Sequence, residues 1–255
     1  MSSIGFHIDG TAAVLTLDNP SKLNSLTVAM LDALEARVQE VERNNDIRCL
    51  ILTGAGEKAF CCGADIGAWG DLSPTEFARF WVRDGHRIFD RLARLGKPTV
   101  AALNGHAFGG GLELASCCDL RIVAPRATLA LPEARVGIVP GWSGTQRLTR
   151  LLPEAAVKEM ALFGQRLSAE RSVSLGYASE VHDAPLTRAL ELAATQSELS
   201  PRATEISKNM IHAAVGEDRD AIVEALGSAA IAASDDRDEG VAAFMEKRKP
   251  LFSGL

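Results

Sequence analysis

Asn104 to Gly144 reads NGHAFGGGLELASCCDLRIVAPRATLALPEARVGIVPGWSG, and the fold and chemistry of the whole chain turn on this stretch. Gly109-Gly110-Gly111 leaves the main chain bare, so a ligand atom can approach backbone N–H groups with no Cβ in the way. Leu112 to Cys118 reads as a short apolar helix, which puts those N–H groups at a helix N-terminus, where negative charge is stabilised. Glu113 falls in the first turn of that helix. Glu133 follows Pro132 at the end of the strand-like Thr128-Leu129-Ala130-Leu131. The reading is an anion developing at the glycines while two carboxylates move protons around it. A glycine triplet also lets a strand and a helix pack closely, and a first-turn glutamate also complements the helix dipole. The rest of the chain has to decide between them.

Upstream, Ile4 to Ile8 and Ala12 to Leu17 read as strands around Asp9-Gly10, a hairpin turn signal. Thr27 caps a helix in which Leu31, Leu34, Val38 and Val41 fall at helical spacing. Ile47 to Thr53 is a continuous β-rich run, hence a buried strand. Ala59-Phe60-Cys61-Cys62-Gly63-Ala64-Asp65 follows, apolar and then acidic. Ser73-Pro74-Thr75-Glu76 is a capping box with proline at the first helical position, opening a helix expected to reach about Leu95. Thr99 to Leu103 is a further buried strand that leads into the glycine stretch.

Downstream of Gly141, helices dominate: Thr145 to Leu151, Glu154 to Phe163 and Ala169 to Leu175, punctuated by Pro153, Gly164 and Gly176. Tyr177 to Val181 is a last strand. From Pro185 every segment is helical. Strands alternating with helices, then a helix-only tail, predict an α/β core with a C-terminal helical subdomain. The boundary is expected near Ser200-Pro201, giving 1–200 as the core and 201–255 as the tail. The alanine-rich run around Ala221 to Ala233 is apolar over much of its girth. It calls either for a subunit interface or for folding back onto its own core.

Bulk composition removes several function classes. With 255 residues, 47% hydrophobic and 24% charged, the chain can bury a core without disulfide staples. A net charge of −6 argues against general nucleic-acid binding, which needs clustered positive charge. Cys49, Cys61, Cys62, Cys117 and Cys118 form two vicinal pairs and an odd one, neither a disulfide framework nor a zinc pattern. They read as buried thiols of a reducing cytoplasm, with no metal site. The N-terminus lacks the pattern of a secretory signal, and no stretch is apolar enough for a membrane span. The expectation is a soluble cytoplasmic protein.

Other site grammars fail. The triplet does not fit G-x-G-x-x-G, and Gly54-Ala55-Gly56-Glu57-Lys58 fails the phosphate-loop spacing. Gly141-Trp142-Ser143-Gly144 is one residue off the nucleophile elbow. The histidines at 7, 86, 106, 182 and 212 are scattered, and only His106 lies near the glycines, where it reads as a side chain beside a turn. A nucleophilic serine therefore loses.

Ala59 to Ile66, Asn104 to Glu113, Pro132-Glu133 and Val139-Pro140-Gly141 resemble, in this order, segments of the enoyl-CoA hydratase/isomerase (crotonase) family. So do Thr145-Gln146-Arg147-Leu148, Ala161-Leu162-Phe163-Gly164 and the tail Glu246-Lys247-Arg248-Lys249-Pro250. The matches run from about Asn19 to the C-terminus. The resemblance implies a ββα spiral, a C-terminal helical region that trimerises, often as a dimer of trimers, and acyl-CoA thioester substrates. Coenzyme A is then part of the substrate, and no cofactor is implied. Ala64 and Gly110 match the two positions whose backbone N–H groups form the family's oxyanion hole. Glu113 and Glu133 match the two glutamates that hydratases use together, and members doing other chemistry commonly lack one of them. Gly141 matches a position whose N–H helps hold the water.

The implied reaction is hydration of a trans-2-enoyl thioester. The deprotonated carboxylate takes the proton of water as it attacks C3, and Glu133 is the favoured donor to C2. At least one carboxyl must stay protonated, which needs a raised pKa. Lys22 and Lys247 match positions that bring positive charge near the CoA phosphates. Cys62 and Ile66 flank the oxyanion residue where main chain meets the CoA adenine and thioester arm, and Asp65 is either part of that contact or a helix cap. Trp142-Ser143 departs from the small Ala-Gly pair common in the family, so the indole is expected to narrow or reshape the acyl pocket. Alternatives on the same fold are an enoyl-CoA isomerase, a carnitinyl-CoA dehydratase-like enzyme, and a non-catalytic acyl-CoA-binding trimer.

Overall fold

The Asp9-Gly10 turn joins β1 (Ser3–Asp9) to β2 (Ala12–Asp18) as an antiparallel pair, with Gly10 at φ 57°, a conformation glycine adopts at no steric cost. The structure is a computed structural model that describes residues 2–254. From β2 onward the larger sheet is parallel. Its order is β1, β2, β3 (Cys49–Gly54), β5 (Thr99–Leu103), β7 (Leu120–Val123) and β10 (Glu180–Val181). A second sheet runs β4 (Ala59–Cys61), β6 (His106–Phe108), β8 (Thr128–Ala130) and β9 (Leu167–Ser168), the first three parallel.

From β3 to β8, consecutive strands go to alternate sheets. β3 joins the first and β4 the second, then come the helical run 74–93 and β5 with β6. Next is α4 (Gly110–Ala115), followed by β7 with β8. Each turn of chain thus contributes one strand to each sheet and then a helix, the expected ββα spiral.

All six residues of β3 are buried, as a parallel strand covered on both faces must be. Its alternate residues serve two cores. Leu50 and Leu52 join the large cluster that includes α1 (Val28–Arg43) through Leu31, Leu34 and Val38, and α3 (Arg83–Ala93) through Ile88, Phe89 and Leu92. Cys49 and Ile51 face the other way, onto Ala189 and Ala193 of α8 (Pro185–Ala194). Thr27 caps α1 by accepting the Met30 N–H at 3.3 Å. Ser73 and Glu76 form the full capping box at the start of α2 (Pro74–Glu76).

The helix opened there differs from expectation in one respect. Between α2 and α3 the chain makes a π-helical turn, Phe77–Val82, a widening that favours functional sites. Four strands escape a pattern search, among them β4 and β9, three and two residues long. β6 is three residues long and carries His106. β7 has Arg121 inside an apolar run, buried because its guanidinium donates to the carbonyls of Tyr177 at 2.5 Å and Cys118 at 2.6 Å. A buried charge so satisfied costs little.

Later helices are α5 (Gly144–Leu151), α6 (Glu154–Phe163), α7 (Ala169–Ser174), α9 (Pro201–Ala214), α10 (Arg219–Ala232) and α11 (Asp235–Glu246). By its contacts the chain separates into two compact units, 1–205 and 206–255, dividing a few residues beyond Ser200-Pro201. Within the second unit the last residues fold back along α11. Arg248 forks onto Glu239 at 2.6 and 2.8 Å, and Asp236 accepts the N–H groups of Ser253 and Gly254 at 2.6 and 3.0 Å. α10 buries only Ile222, while Val223 and Ile231 are more than half exposed, as are Phe244 and Met245 of α11. Among the described residues no helix is long and apolar enough to cross a membrane.

Candidate active site

Three neighbouring strands of the second sheet, β4, β6 and β8, run parallel, and just past their carboxyl ends come Ala64, Gly110 and Pro132-Glu133. Open α/β sheets place ligands at that edge, and here the spiral puts side by side residues far apart in sequence. Leu26 and Ala64 form a short parallel bridge, with the Leu26 N–H donating to Gly63 O at 2.8 Å and the Asp65 N–H to Leu26 O at 2.8 Å. The Ala64 N–H is left over. Among the described residues it donates to no protein acceptor, and neither does the N–H of Gly110 or of Gly141. The nitrogen of Ala64 lies 3.7 Å from where a Cβ on Gly110 would sit. Two unsatisfied donors thus stand together at the start of α4, and buried N–H groups are seldom left without a partner.

Glu113 is 3% exposed. Its Oε1 accepts the N–H groups of Trp142 and Gly144, each at 2.8 Å. The intervening Ser143 has φ 74°, the left-handed region, and this curl aims both N–H groups at one oxygen. Gly144 leaves the room, since a Cβ there would fall 2.7 Å from Glu113 Cγ. Burial pushes the Glu113 carboxyl above its ordinary pKa, while the two N–H donors and the Arg147 charge pull it back.

Glu133 opens a short 3-10 turn, Glu133–Val136, and is also buried. Its Oε2 has no hydrogen-bond partner. Gly109, at φ 50°, passes so close that a Cβ would lie 2.5 Å from Glu133 Oε1. Burial raises the Glu133 pKa to about 7, and the negative charge of Glu113 adds to the rise. The two carboxyls therefore sense one another, and near neutral pH such a pair holds on to a proton.

The remaining predicted site residues fall in several places. Lys22 Nζ binds Asp65 Oδ2 at 2.6 Å, and Asp65 also accepts the Gly67 N–H at 3.2 Å as the cap of the turn Ile66–Ala68. Lys22 holds the Asp65 carboxyl below its usual range. Ile66 is exposed. The Cys62 N–H donates to Leu23 O at 3.0 Å, and burial pushes its thiol up to about 11, so it is a neutral wall and not a nucleophile. Lys247 belongs to the second unit, where it ends α11 in the left-handed conformation. Among the described residues no group of acidic, histidine or cysteine side chains has the clustering to hold a metal ion.

Trp142 was singled out by its sequence, while its neighbours Trp81, His86 and Asp90 carried no local signal. Trp142 is 3% exposed, and its Nε1 donates to Trp81 O at 3.2 Å. Ser143 Oγ lies 3.1 and 3.2 Å from the two ring nitrogens of His86, and His86 Nε2 lies 3.5 Å from Asp90 Oδ2. Serine, histidine and aspartate thus meet, though the sequence scatters them. A hydrolytic triad needs the carboxylate on the imidazole nitrogen opposite the serine. Here the nitrogen nearest Asp90 also faces Ser143, and Asp90 is engaged by buried Arg147 at 2.5 Å. The cluster fastens the 141–144 turn and α5 to α3. His106 accepts the Thr128 N–H at 3.2 Å and stacks on Phe108, and burial lowers its pKa, so it stays neutral beside its turn.

The chain is similar to known proteins over nearly its whole length. The family model for enoyl-CoA hydratase/isomerase matches residues 7–254. The short-chain-enoyl-CoA hydratase of Clostridium acetobutylicum is 35% identical over 247 residues, 94% of each chain. The (E)-benzylidenesuccinyl-CoA hydratase of Thauera aromatica is 37% identical, covering 98% of this chain and 99% of its own. The crystal structure of an enoyl-CoA hydratase from Bacillus anthracis superposes with a TM-score of 0.81 at 33% identity, covering 99% of both chains.

Proposed function

The chain belongs to the enoyl-CoA hydratase/isomerase family, and from that premise we propose that it hydrates trans-2-enoyl-CoA thioesters through Glu113 and Glu133. One observation carries the reading. A buried carboxyl with an unpartnered oxygen, Glu133, stands beside a second carboxyl locked in place by two N–H donors, Glu113. An isomerase, moving one proton along an acyl chain, needs one such group; adding water across a double bond uses two.

The thioester oxygen lies against the N–H groups of Ala64 and Gly110, which have no protein acceptor. Water sits between the two carboxyls and the Gly141 N–H. One of its protons passes to Glu113 as the water oxygen bonds to C3 of the acyl group. The electron pair of the double bond moves onto the thioester oxygen as an enolate, where each preorganised donor contributes about 3 kcal/mol. Protonated Glu133 then gives its proton to C2, and the carbonyl re-forms. A pKa near 7 suits that role, because a general acid works best when its pKa is close to the working pH. Glu113 Oε1 already accepts two N–H groups, so the proton it receives goes to Oε2.

Lys22 contributes its charge at the CoA phosphate side, shared with Asp65, and Cys62 and Ile66 border the thioester arm. The exposed apolar residues of α10 and α11 support a trimer, single or doubled, because faces of this size and character are covered in assemblies. The test is addition of crotonyl-CoA to the purified protein, with loss of the conjugated enoyl absorbance as the readout. Hydration to a 3-hydroxyacyl thioester is expected. Conversion of a 3-enoyl thioester with no hydration of the 2-enoyl one gives the isomerase reading, and tight thioester binding with no turnover of either gives the non-catalytic one.

A further inference from the structure

Acid–base chemistry requires the backbone of Trp142, not its side chain, yet the indole is one of the most carefully fitted groups in the molecule. Its ring centroid lies 5.1 Å from that of Trp81 and 5.0 Å from that of Phe89. Its Nε1 donates to the Trp81 carbonyl at 3.2 Å, and Trp81 sits in the π-helical turn before α3, where the widened backbone leaves a carbonyl open to a side-chain donor. Gly85 supplies the slot, since a Cβ on it would lie 2.2 Å from Nε1. The opposite edge of the ring reaches the oxyanion donors. A Cβ on Gly110 would fall 2.8 Å from Cζ3 and 3.0 Å from Cε3, and the Ala64 nitrogen lies 3.7 Å from that same point.

The indole therefore spans from α3 to the two N–H groups proposed to hold the thioester oxygen, with its backbone on Glu113. It does not behave as a mobile gate. Swinging it out would break the Nε1 hydrogen bond and empty a close-packed slot, and interiors tolerate neither.

We propose that the Trp142 indole, seated in the Gly85 slot against Gly110, is the acyl-length stop of the site, admitting short enoyl groups and excluding longer chains that need the indole's volume. This rests on the hydratase reading for the position of the thioester, and it adds the substrate class. A single methylene in an apolar pocket is worth about 10- to 200-fold, so a chain several carbons too long is measurably penalised.

Saturated acyl-CoAs, which carry no double bond to hydrate, read the pocket apart from turnover. Calorimetric titration of the purified protein with butyryl-, hexanoyl- and octanoyl-CoA is expected to show binding weakening by about tenfold or more from the first to the last. Trp142→Leu, checked for folding by its melting transition, is expected to bind octanoyl-CoA at least about tenfold more tightly than the wild type does. Trp142→Phe, which loses the Nε1 bond but keeps an aromatic ring in the slot, guards against a leucine variant that fails to fold, and is expected to shift the same ratio in the same direction by less. Equal binding of butyryl- and octanoyl-CoA by the wild type overturns the proposal, as does an unmoved ratio in the folded variants. Hydration of crotonyl-CoA by the same preparation keeps the two claims apart. Length dependence without hydration removes the hydratase reading and leaves the stop standing; hydration without length dependence does the reverse.

Discussion

Glu113 and Glu133 are the same residue type and both buried, and the charge of Glu113 adds to the raised proton affinity of Glu133, but their surroundings differ in kind. The 142–144 turn gives Glu113 two N–H donors on one oxygen, with Arg147 as a further favourable charge. The 3-10 turn that begins at Glu133 leaves its Oε2 with nothing. A carboxylate is stabilised by donors, and a carboxylic acid tolerates their absence. Donor count, not residue identity, separates the two carboxyls, and that difference can be tested from both sides.

The largest effect is expected from the acids themselves. Glu133→Gln should lower the hydration rate by about 10²-fold or more, because it removes the proton that C2 receives, and Glu113→Gln by a comparable factor. Stability should split them. Glu113→Ala strands two buried N–H groups, costing about 1–3 kcal/mol each, while Glu133→Ala gives up only the contact of that side chain with its own backbone N–H. Denaturant unfolding of the two alanine variants would show it, and equal losses would break the comparison.

Gly144→Ala comes next. Its Cβ would lie 2.7 Å from Glu113 Cγ, and a carboxylate displaced by about 1 Å should lose about 10²-fold in rate. The variant should bind a saturated acyl-CoA far better than it turns over the enoyl form.

A third test is pH. The Glu133 pKa is raised to about 7 in the folded protein from 4.5, so the fold binds this proton more tightly than the unfolded chain does. Its contribution to stability is fully present below pH 4.5 and is lost as pH rises through about 7. At pH 8 the wild type should carry a penalty of about 3 kcal/mol that Glu133→Gln lacks. The variant is thus expected to melt higher than wild type in alkaline buffer, with the gap closing on acidification. Activity should fall over the same alkaline range as the proton is lost. A pH-independent difference in melting would place the raised proton affinity elsewhere.

The smallest effects belong to Ser143, which holds the Glu113 turn. At φ 74° a serine carries about 1–2 kcal/mol of left-handed strain, partly offset by its hydroxyl contact with His86. Ser143→Gly relieves the strain and loses the contact, so its stability should stay within about 1 kcal/mol of wild type. Ser143→Ala keeps the strain and loses the contact, and should be the less stable of the two.

Much of the fold was legible because it is written in local signals. The Asp9-Gly10 hairpin, the Thr27 cap and the Ser73 to Glu76 capping box declare themselves within four residues, and the buried strand around Leu50 to Thr53 is an unbroken apolar run. β6 and β7 were hidden for opposite reasons, one being too short for a period to show and the other interrupted by an arginine that tertiary carbonyls satisfy. The π-helical turn at Phe77–Val82 had no sequence mark either, and the carbonyl of Trp81 within it is met by the indole of Trp142, some sixty positions away. The same holds for the meeting of Ser143 with His86.

The sequence by itself determined the chemistry available: bare glycine backbone, two glutamates, and an ordered set of motifs shared with a family of acyl-CoA enzymes. Residue identity and spacing are local properties, and the chain states them directly. Only the tertiary structure decided which oxygen has donors and which has none, and that Trp142 fits because Gly85 makes room for it. Those facts depend on through-space neighbours brought together by the spiral, where a few tenths of an ångström of packing and one hydrogen bond more or less set a carboxyl's proton affinity and the fit of an indole.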